Sequence, residues 1–455
     1  MMTRPPHRLS LPRKLGFTLG DYACNLYWQS ISIFLLFFYT DAVGLSAGVA
    51  GLIYMIASIV DALCDPVMGS IADRTRTRRG RYRPYILFGC VPLALCFVLL
   101  YLRPPLIGIW LAAWMLASHI IFRLAYTALS IPYTSLTARL TDNSDERSTM
   151  AGMRMVFAVL AGLTIAFFTT PLVAALGHGN AARGFTWAAA VFALLATAIF
   201  PIVYLATREP AESEGDAAPI GLAASWRAIA GNRAFWVLVL AACTAFACST
   251  ALGKSVLYYF KYYLHDEAAA RYALTAMAAV GLVAIPAWVV VTKLIGKRNA
   301  WFASVAWSLA MLAVFAMVDI RDPVVMTCWF MATGAGGLGA SLTFWSMLPD
   351  TVEYGEWRGG ARTESFIFGL GQFFLKAALG IGAGLFGWLL GAVGYVANTQ
   401  QTPATLAGLK MIMVALPAAG LVGAGLAMIL YPMKRGGHET IVEQLAARRL
   451  AEPGT

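Results

Sequence analysis

The stretch Ile59-Val-Asp-Ala-Leu-Cys-Asp-Pro-Val-Met-Gly69 carries two aspartates inside an apolar run, and the basic stretch Arg74-Thr-Arg-Thr-Arg-Arg-Gly-Arg-Tyr-Arg-Pro84 follows it. An apolar run of helical length that ends in a block of arginines is typical of a membrane-spanning helix and its loop. Similar runs recur along all 455 residues, of which 59% are apolar and only 13% charged. About a quarter of the residues of a soluble domain are charged. The sequence therefore predicts a polytopic, all-α membrane protein.

The apolar runs are numerous enough for twelve transmembrane helices, since a helix needs about 20 residues to cross the bilayer core. The expected spans are 16–40, 46–72, 85–102, 106–138, 150–175, 185–206, 234–264, 268–295, 300–319, 323–349, 363–394 and 406–432. A polar segment that begins at Arg208 separates the first six from the last six. The expected organisation is an N-terminal half, a cytoplasmic linker, a C-terminal half and a cytoplasmic tail, at residues 1–206, 207–233, 234–433 and 434–455.

The segments that close the fourth and tenth spans, Ser135–Ser148 and Ser346–Trp357, resemble each other weakly. Each leads through a polar loop and an Arg/Glu pair into the next helix. This similarity indicates a repeat of two bundles. Alternating-access transporters are built in this way and hold their substrate between the bundles, near the middle of the membrane.

The positive charge, +11 overall, lies in short blocks on alternate loops, of which the block from Arg74 to Arg83 is the densest. This pattern predicts that both termini lie in the cytoplasm and that the chain crosses the inner (plasma) membrane repeatedly. Nucleic acid is not an expected partner, because the cations form no basic face with interleaved aromatic residues. The seven cysteines lie inside apolar runs without a CxxC or Cys/His cluster, so we expect neither a disulfide framework nor a metal site.

Asp61 and Asp65 are the most informative charges, because an ionisable residue near the bilayer centre is costly unless it has a partner or faces water. Their spacing of four residues places both carboxylates on one face of the second span. Two such charges are tolerable only if they share a cation or proton, or if a basic side chain intervenes. The sequence predicts a cation-coupling site here and leaves a structural ion pair with an arginine as the alternative.

Arg154 in the fifth span and Lys376 in the eleventh are the expected intramembrane cations. Either can bind substrate hydroxyls or a carboxylate, or can neutralise the aspartate pair. The roles of Arg123 and Lys254 stay open between function and structure. Lys261 is expected to snorkel to the outer surface.

Asp21 and Asn25 share one face of the first span, where they offer the donors and acceptors that sugar hydroxyls need. The alternative role is hydrogen bonding between helices. The aromatic rings of Trp28, Tyr126 and Trp345 offer flat faces on which a sugar ring can stack, although single aromatic residues commonly face lipid.

The loop between the second and third spans contains Gly69, Asp73 and Arg74. A small residue allows close helix approach, an acid can pair across the bundle interface, and the arginines anchor the loop in the cytoplasm. We expect a gating loop, with topology anchoring alone as the alternative.

These features resemble the major facilitator superfamily, whose loop between spans two and three has the Gly-xxx-Asp-Arg pattern seen from Gly69 to Arg74. The chain is more narrowly similar to the glycoside-pentoside-hexuronide:cation symporters, and it resembles their glucuronide and xyloside branch most. The motifs that carry this similarity are Gly20-Asp21, Phe38-Tyr-Thr-Asp41, Asp61-Ala-xx-Asp65, Arg81-Tyr-Arg-Pro84, Ile131-Pro-Tyr133, Asp350-Thr-Val-Glu-Tyr-Gly-Glu356, Arg362-Thr-Glu364 and Gly394-Tyr-Val-Ala-Asn398.

The resemblance implies functional roles for particular residues. Asp61 and Asp65 correspond to the family's coupling carboxylates and Thr127 to a threonine of its cation site. Sodium-using members have an asparagine where this chain has Cys64, and a hard cation prefers oxygen ligands. A buried carboxylate can hold a proton without further donors, so protons are favoured over sodium.

The implied substrate site combines residues that match the family with two that depart from it. Asn25 and Ser130 stand where some members have acidic sugar ligands, which makes the expected site less acidic and leaves both acidic glycosides and neutral pentosides possible. The full expected set is Asp21, Asn25, Tyr126, Ser130, Arg154, Trp345, Gln372 and Lys376.

The resulting expectation is a major-facilitator-type bundle of twelve helices in two six-helix halves, a monomer that carries a sugar or glycoside with H+ or Na+. No bound cofactor is expected beyond the co-transported cation. A lysophospholipid-type carrier of the same fold and a non-transporting membrane sensor are the alternatives. We do not expect an enzyme, since the spans hold no nucleophile-base constellation and no metal-ligand cluster.

Overall fold

The computed structural model describes residues 10–140, 144–207, 226, 229–359, 364–434 and 436–451, which form helices almost throughout. The helices of the first half are α1 (Leu11–Phe37), α2 (Ala47–Arg74), α3 (Arg83–Leu100), α4 (Gly108–Leu140), α5 (Ser144–Gly177) and α6 (Ala181–Ala206). Those of the second half are α7 (Arg233–Tyr258), α8 (Ala270–Ile295, interrupted at Val280), α9 (Lys297–Met317), α10 (Pro323–Gly359), α11 (Glu364–Ala392) and α12 (Pro403–Ile429). A further helix, α13 (Gly437–Ala451), follows.

Within the described residues, eleven helices are long and apolar enough to cross a membrane. The remaining long helix of the bundle is α1, whose 27 residues include Asp21, Asn25 and Gln29 and are therefore less apolar. The prediction of an all-α membrane bundle is confirmed, with about twelve long helices among the described residues. Since the helices alternate in direction, α1 begins and α12 ends at the same end of the bundle, which we call the terminal face. The opposite end is the far face.

The two halves repeat the same packing. Helix α1 packs on α5 and α6, α2 on α4, and α3 on α4 and α6; six helices later, α7 packs on α11 and α12, α8 on α10, and α9 on α10 and α12. Details repeat as well: a π-helical segment follows both α1 (Phe38–Ala42) and α7 (Tyr259–Tyr263). Arg83 donates to the carbonyl of Tyr204 at 2.9 Å, and Arg298 donates to that of Ile429 at 3.0 Å. The halves meet where α2 packs along α11 and α5 along α8. The repeat relates these two contacts to each other, because α8 is the counterpart of α2 and α11 is the counterpart of α5.

The structure differs from the expected spans in two places, at the end of α10 and in the tail. The tenth helix continues to Gly359 instead of ending at residue 349, because charged residues that end a hydropathy run do not end a helix. The expected tail contains α13, whose Ile441 and Leu445 are buried. Most of the expected linker and Arg362 lie outside the described residues, so the proposed domain limits stay predictions.

Glycines allow α2 and α11 to approach closely near the far face. A Cβ atom placed on Gly51 would lie 2.8 Å from the carbonyl oxygen of Gly384 and 3.0 Å from the Cα atom of Gly387. Helix pairs in membranes gain stability from such close fits, since no hydrophobic driving force acts between helices inside lipid. The glycines therefore bring the two halves into direct backbone contact.

We predict that Gly51→Ala destabilises the protein by about 1–3 kcal/mol through overpacking of this contact. Gly48→Ala is the matched control on the same helix, because a Cβ atom there meets nothing within 4 Å. Replacing that glycine should be neutral or stabilise the helix by up to about 1 kcal/mol. Thermal unfolding in detergent measures both variants, and equal unfolding midpoints would contradict the packing argument.

Candidate functional site

A cavity of about 420 Å³ lies between the two halves. Its wall is formed by α1, α2, α4, α5, α7, α8 and α11, and the aromatic and charged side chains that line it are Trp28, Tyr54, Asp61, Arg123, Lys254 and Lys376. Ser32, Ser58 and Thr250 add hydroxyl groups to this lining. A binding site between two pseudo-repeated halves is the arrangement that alternating access requires.

The expected coupling residues form one cluster beside the cavity. The Thr127 hydroxyl lies 2.8 Å from Oδ1 of Asp61 and 3.1 Å from Oδ1 of Asp65. The Lys376 ammonium lies 3.3 Å from Oδ2 of Asp61 and also donates to Asp65. Since the aspartates belong to α2 and the lysine to α11, this cluster joins the two halves through an ion pair.

Arg123 supplies a second cation to the same cluster. Its Nη1 lies 3.3 Å from Oδ2 of Asp61, and its Nε donates to Nε2 of His119 at 3.2 Å. Arg123 is 2% exposed and Asp61 is 1% exposed, so neither charge is stabilised by bulk water. Two carboxylates and two cations thus compensate one another around Asp61 and Asp65, and the repulsion expected between the aspartates is relieved by basic side chains.

A separate cluster lies within the first half around Asp21. The Nε of Arg154 lies 2.6 Å from Oδ2 of Asp21, and the Tyr133 hydroxyl donates to the same oxygen at 2.6 Å. The Asn25 amide donates to the backbone carbonyl of Asp21 at 2.8 Å. Arg154 therefore pairs with α1 and not with the Asp61/Asp65 cluster. These residues are not part of the cavity lining.

The remaining residues of the expected substrate site are spread along the inner helices. The rings of Trp28 and Tyr126 lie 6.1 Å apart at an angle of 31°, and Trp28 lines the cavity. Trp345 is 37% exposed. Ser130 is half-buried and Gln372 is exposed. The substrate roles of all these residues stay predictions.

The expected gating loop lies at the terminal face. Gly69 packs near Ile131 of α4, with 3.9 Å between the position of an added Cβ atom and the Cγ2 atom. Arg74 is exposed at the end of α2, and the side chain of Asp73 lies outside the described part of the structure. At this face Nζ of Lys14 lies 2.9 Å from Oε1 of Glu146, an ion pair within the first half. The gating role stays a prediction.

The far face holds a polar network that sequence reasoning missed. Asp41, in the π-helical segment after α1, accepts hydrogen bonds from Lys261 at 2.7 Å, from Tyr395 at 2.7 Å and from Tyr262. The Asn398 amide donates to the backbone carbonyl of Asp41 at 2.7 Å. Asp41 lies in the first half and its four partners lie in the second, so the network closes the cavity at the far face. The expectation that Lys261 snorkels is wrong, because its ammonium is directed to Asp41.

A third charged cluster lies at the terminal face, where α10 meets α13. The potential ligand atoms of Asp350, Glu353 and His438 lie within 4.8 Å of one another, a grouping that the sequence did not reveal. Nζ of Lys297 lies 2.7 and 2.8 Å from the two carboxylate oxygens of Asp350. The negative charge of Asp350 is therefore already compensated by Lys297. The contact between His438 and Glu353 links α13 to α10.

We predict that Asp41→Asn loosens the far face. The substitution leaves Lys261 without its carboxylate, and breaking a fully buried ion pair costs about 3–5 kcal/mol. The cost in this protein is lower, because the lysine side chain is 20% exposed and water can solvate it. Spin labels on Ser46→Cys and Val396→Cys, in a background without the native cysteines, report the distance between the halves. The distance distribution should broaden towards longer values.

The matched control for this measurement is Asp319→Asn. Asp319 lies at the same face and pairs with Arg321 and Lys410, both in its own half. The control should leave the distances unchanged. An unchanged distribution in Asp41→Asn would show that the network does not hold the halves together.

These features define a class of protein: a membrane transporter of the major facilitator type, with two repeated helix bundles around a central cavity. A family model described as MFS/sugar transport protein matches residues 16–435. The chain therefore belongs to this family, and the resemblance to glycoside-pentoside-hexuronide:cation symporters is confirmed. Its members are transporters, so the protein is not an enzyme.

Individual relatives agree with this assignment. The isoprimeverose transporter of Lactiplantibacillus pentosus is 31% identical over 94% of this chain and 90% of its own length. The glucuronide carrier protein homolog of Escherichia coli is 27% identical over 97% of each chain. A crystal structure of a bacterial homolog of the human lysosomal transporter Spinster superimposes with a TM-score of 0.66 at 14% identity, over 95% of this chain and 98% of that one; this likeness concerns the fold alone.

Proposed function

We propose that the protein carries a glycoside, pentoside or hexuronide across the inner membrane together with a cation, by alternating access and as a monomer. The names of the relatives support a sugar-type substrate, since one is an isoprimeverose transporter and another a glucuronide carrier homolog. The observation that carries the proposal is the Asp61/Asp65/Thr127/Lys376 cluster, which lies beside the cavity and joins the two halves.

Coupling follows from competition at this cluster. A cation or proton that binds the aspartates replaces the charge compensation that the Lys376 ammonium provides. The lysine is then free to turn towards a substrate in the cavity that it lines. Because Lys376 belongs to the second half and the aspartates to the first, cation binding changes the interaction between the halves. A ligand shifts such an equilibrium only by its differential affinity for the two states.

Protons suit this cluster better than sodium. Asp61, Asp65 and Thr127 supply oxygen ligands, but Cys64 stands where the family's sodium-using members have an asparagine. A hard cation needs several oxygen ligands, whereas a carboxylate can bind a proton alone. Inward movement of one positive charge across about 100 mV supplies about 2.3 kcal/mol, enough for roughly fifty-fold accumulation of substrate.

The distribution of positive charge supports a cytoplasmic terminal face. The arginines from Arg74 to Arg83 lie where α2 ends and α3 begins, and Lys297 and Arg298 open α9 at the same face. Short loops rich in Lys and Arg remain on the cytoplasmic side. With this orientation the far face is periplasmic, and a bundle closed there corresponds to an inward-facing state.

Uptake by proteoliposomes tests the proposal. We expect accumulation of one or more members of a panel of glycosides, pentosides and hexuronides under an imposed proton gradient. Accumulation driven by a sodium gradient alone would overturn the preference for protons. Absence of flux with every member of the panel would overturn the transport function.

We predict that Asp61→Asn abolishes gradient-driven accumulation, because a neutral amide can neither bind a proton nor exchange its charge with Lys376. Exchange of labelled for unlabelled substrate across the membrane should survive, since it needs no net cation movement. Asp319→Asn removes an exposed carboxylate remote from the cavity and should keep full accumulation. Undiminished driven accumulation in Asp61→Asn would show that another group couples the cation.

A further inference from the structure

We infer that Lys254 binds a carboxylate on the substrate, and that the transported sugar is therefore a hexuronide or another acidic glycoside. This inference rests on the proposed sugar transport and names the substrate class of the same cavity. It starts from the surroundings of one lysine, whose role the sequence leaves open.

Lys254 is a buried lysine with no carboxylate partner among the described residues. It lines the cavity from α7 and is 5% exposed. Its ammonium donates to the backbone carbonyl of Ser32 at 3.0 Å and lies 4.0 Å from the centre of the Tyr54 ring. Among the described residues, no carboxylate lies within ion-pair distance of it. An ammonium has three N–H donors, and neither the Ser32 carbonyl nor the Tyr54 side chain supplies a negative charge to compensate it.

The charges around the cavity do not balance. Arg123, Lys254 and Lys376 line it, while Asp61 and the adjoining Asp65 supply the negative charges. Arg123 and Lys376 pair with these two aspartates, so the uncompensated positive charge falls on Lys254. His119 adds none, because its Nε2 accepts a hydrogen bond from Arg123. Binding of a proton or Na+ at the aspartates raises the excess to two positive charges.

An excess of this kind favours an anionic ligand. A buried charge without a partner is costly, and a carboxylate hydrogen-bonded to it removes much of that cost. A neutral sugar would leave the excess in place, particularly after the coupling cation has bound. A sugar that carries one carboxylate would reduce it at the moment when the excess is largest.

The position of Lys254 also suits a ligand that contacts both halves. The lysine belongs to the second half, whereas Trp28 and Tyr54, whose rings line the same cavity, belong to the first. A sugar ring that packs against Trp28 would place its carboxylate towards the opposite wall, where Lys254 lies beside Tyr54. Such a ligand would link the halves where Lys254 now contacts Ser32.

Binding of matched sugars tests the inference. The probes are 4-nitrophenyl β-D-glucuronide with 4-nitrophenyl β-D-glucoside, and the corresponding galacturonide with galactoside; each pair differs in a carboxylate against a hydroxymethyl group. Isothermal titration calorimetry of the purified protein should show preference for the acidic member of a pair. Lys254→Gln should weaken binding of that acidic sugar about tenfold or more, as expected for a lost hydrogen bond to a charged group. Binding of the neutral sugar should change much less.

Control variants separate charge recognition from structure. Lys293→Gln removes an exposed lysine of the same half, remote from the cavity, and should preserve the preference. Lys254→Arg should retain a large part of it, because the charge is kept. Lys254→Met, which keeps an unbranched apolar stem, is the second test of charge removal if Lys254→Gln does not fold.

The outcomes distinguish this inference from the function on which it rests. Preference of the unmodified protein for the neutral member, or an equal loss of both sugars in Lys254→Gln and Lys254→Met, would overturn the role of Lys254 and leave sugar transport intact. Failure to bind or transport any sugar of the wider panel would overturn the proposed function itself.

Discussion

The cost of placing a charge in an apolar interior governs this structure. An isolated ionised group inside a membrane protein costs several kcal/mol unless another charge, a dipole or water compensates it. Here the compensation is repeatedly provided across the boundary between the halves. Lys376 meets Asp61 and Asp65, and Lys261 meets Asp41. The same contacts that make these charges tolerable also hold the two halves together.

The two kinds of contact at this boundary have different consequences. The backbone approach of α2 and α11 through Gly51, Gly384 and Gly387 depends on shape, and it is lost only when the helices move apart. An ion pair depends on charge, so one proton or one cation can remove it without any change in shape. A bundle that uses both can be stable while unliganded and still respond to a small ligand.

The sequence predicted the class, the spans and the aspartate pair on one face of α2, because the bilayer fixes helix length and a spacing of four residues fixes a shared helix face. It could not predict the partners. Lys261 and Asp41 are separated by 220 positions, and Lys376 and Asp65 by 311, so their meeting depends on how the two bundles pack. Arg154 could equally have faced the aspartate pair, and only the placement of α1 directs it to Asp21. The extension of α10 was missed for a different reason, since hydropathy reports the membrane boundary and not the helix end.

The repeat that relates the halves is broken by charge. At the contacts that cross the boundary, Asp41, Asp61 and Asp65 lie in the first half, whereas Lys254, Lys261 and Lys376 lie in the second. Helix α8, the counterpart of α2, contains no acidic residue from Ala270 to Ile295. Arg123 compensates part of the first half's negative charge from within that half, but the charges that meet across the boundary are acidic on the first half and basic on the second, so these two walls attract each other. A cation bound to the acidic wall weakens this attraction, while an anion bound to the basic wall acts in the same sense. When both ligands are bound, their opposite charges restore the balance between the walls. The fully loaded state is then electrostatically closer to the empty state than either singly loaded state is.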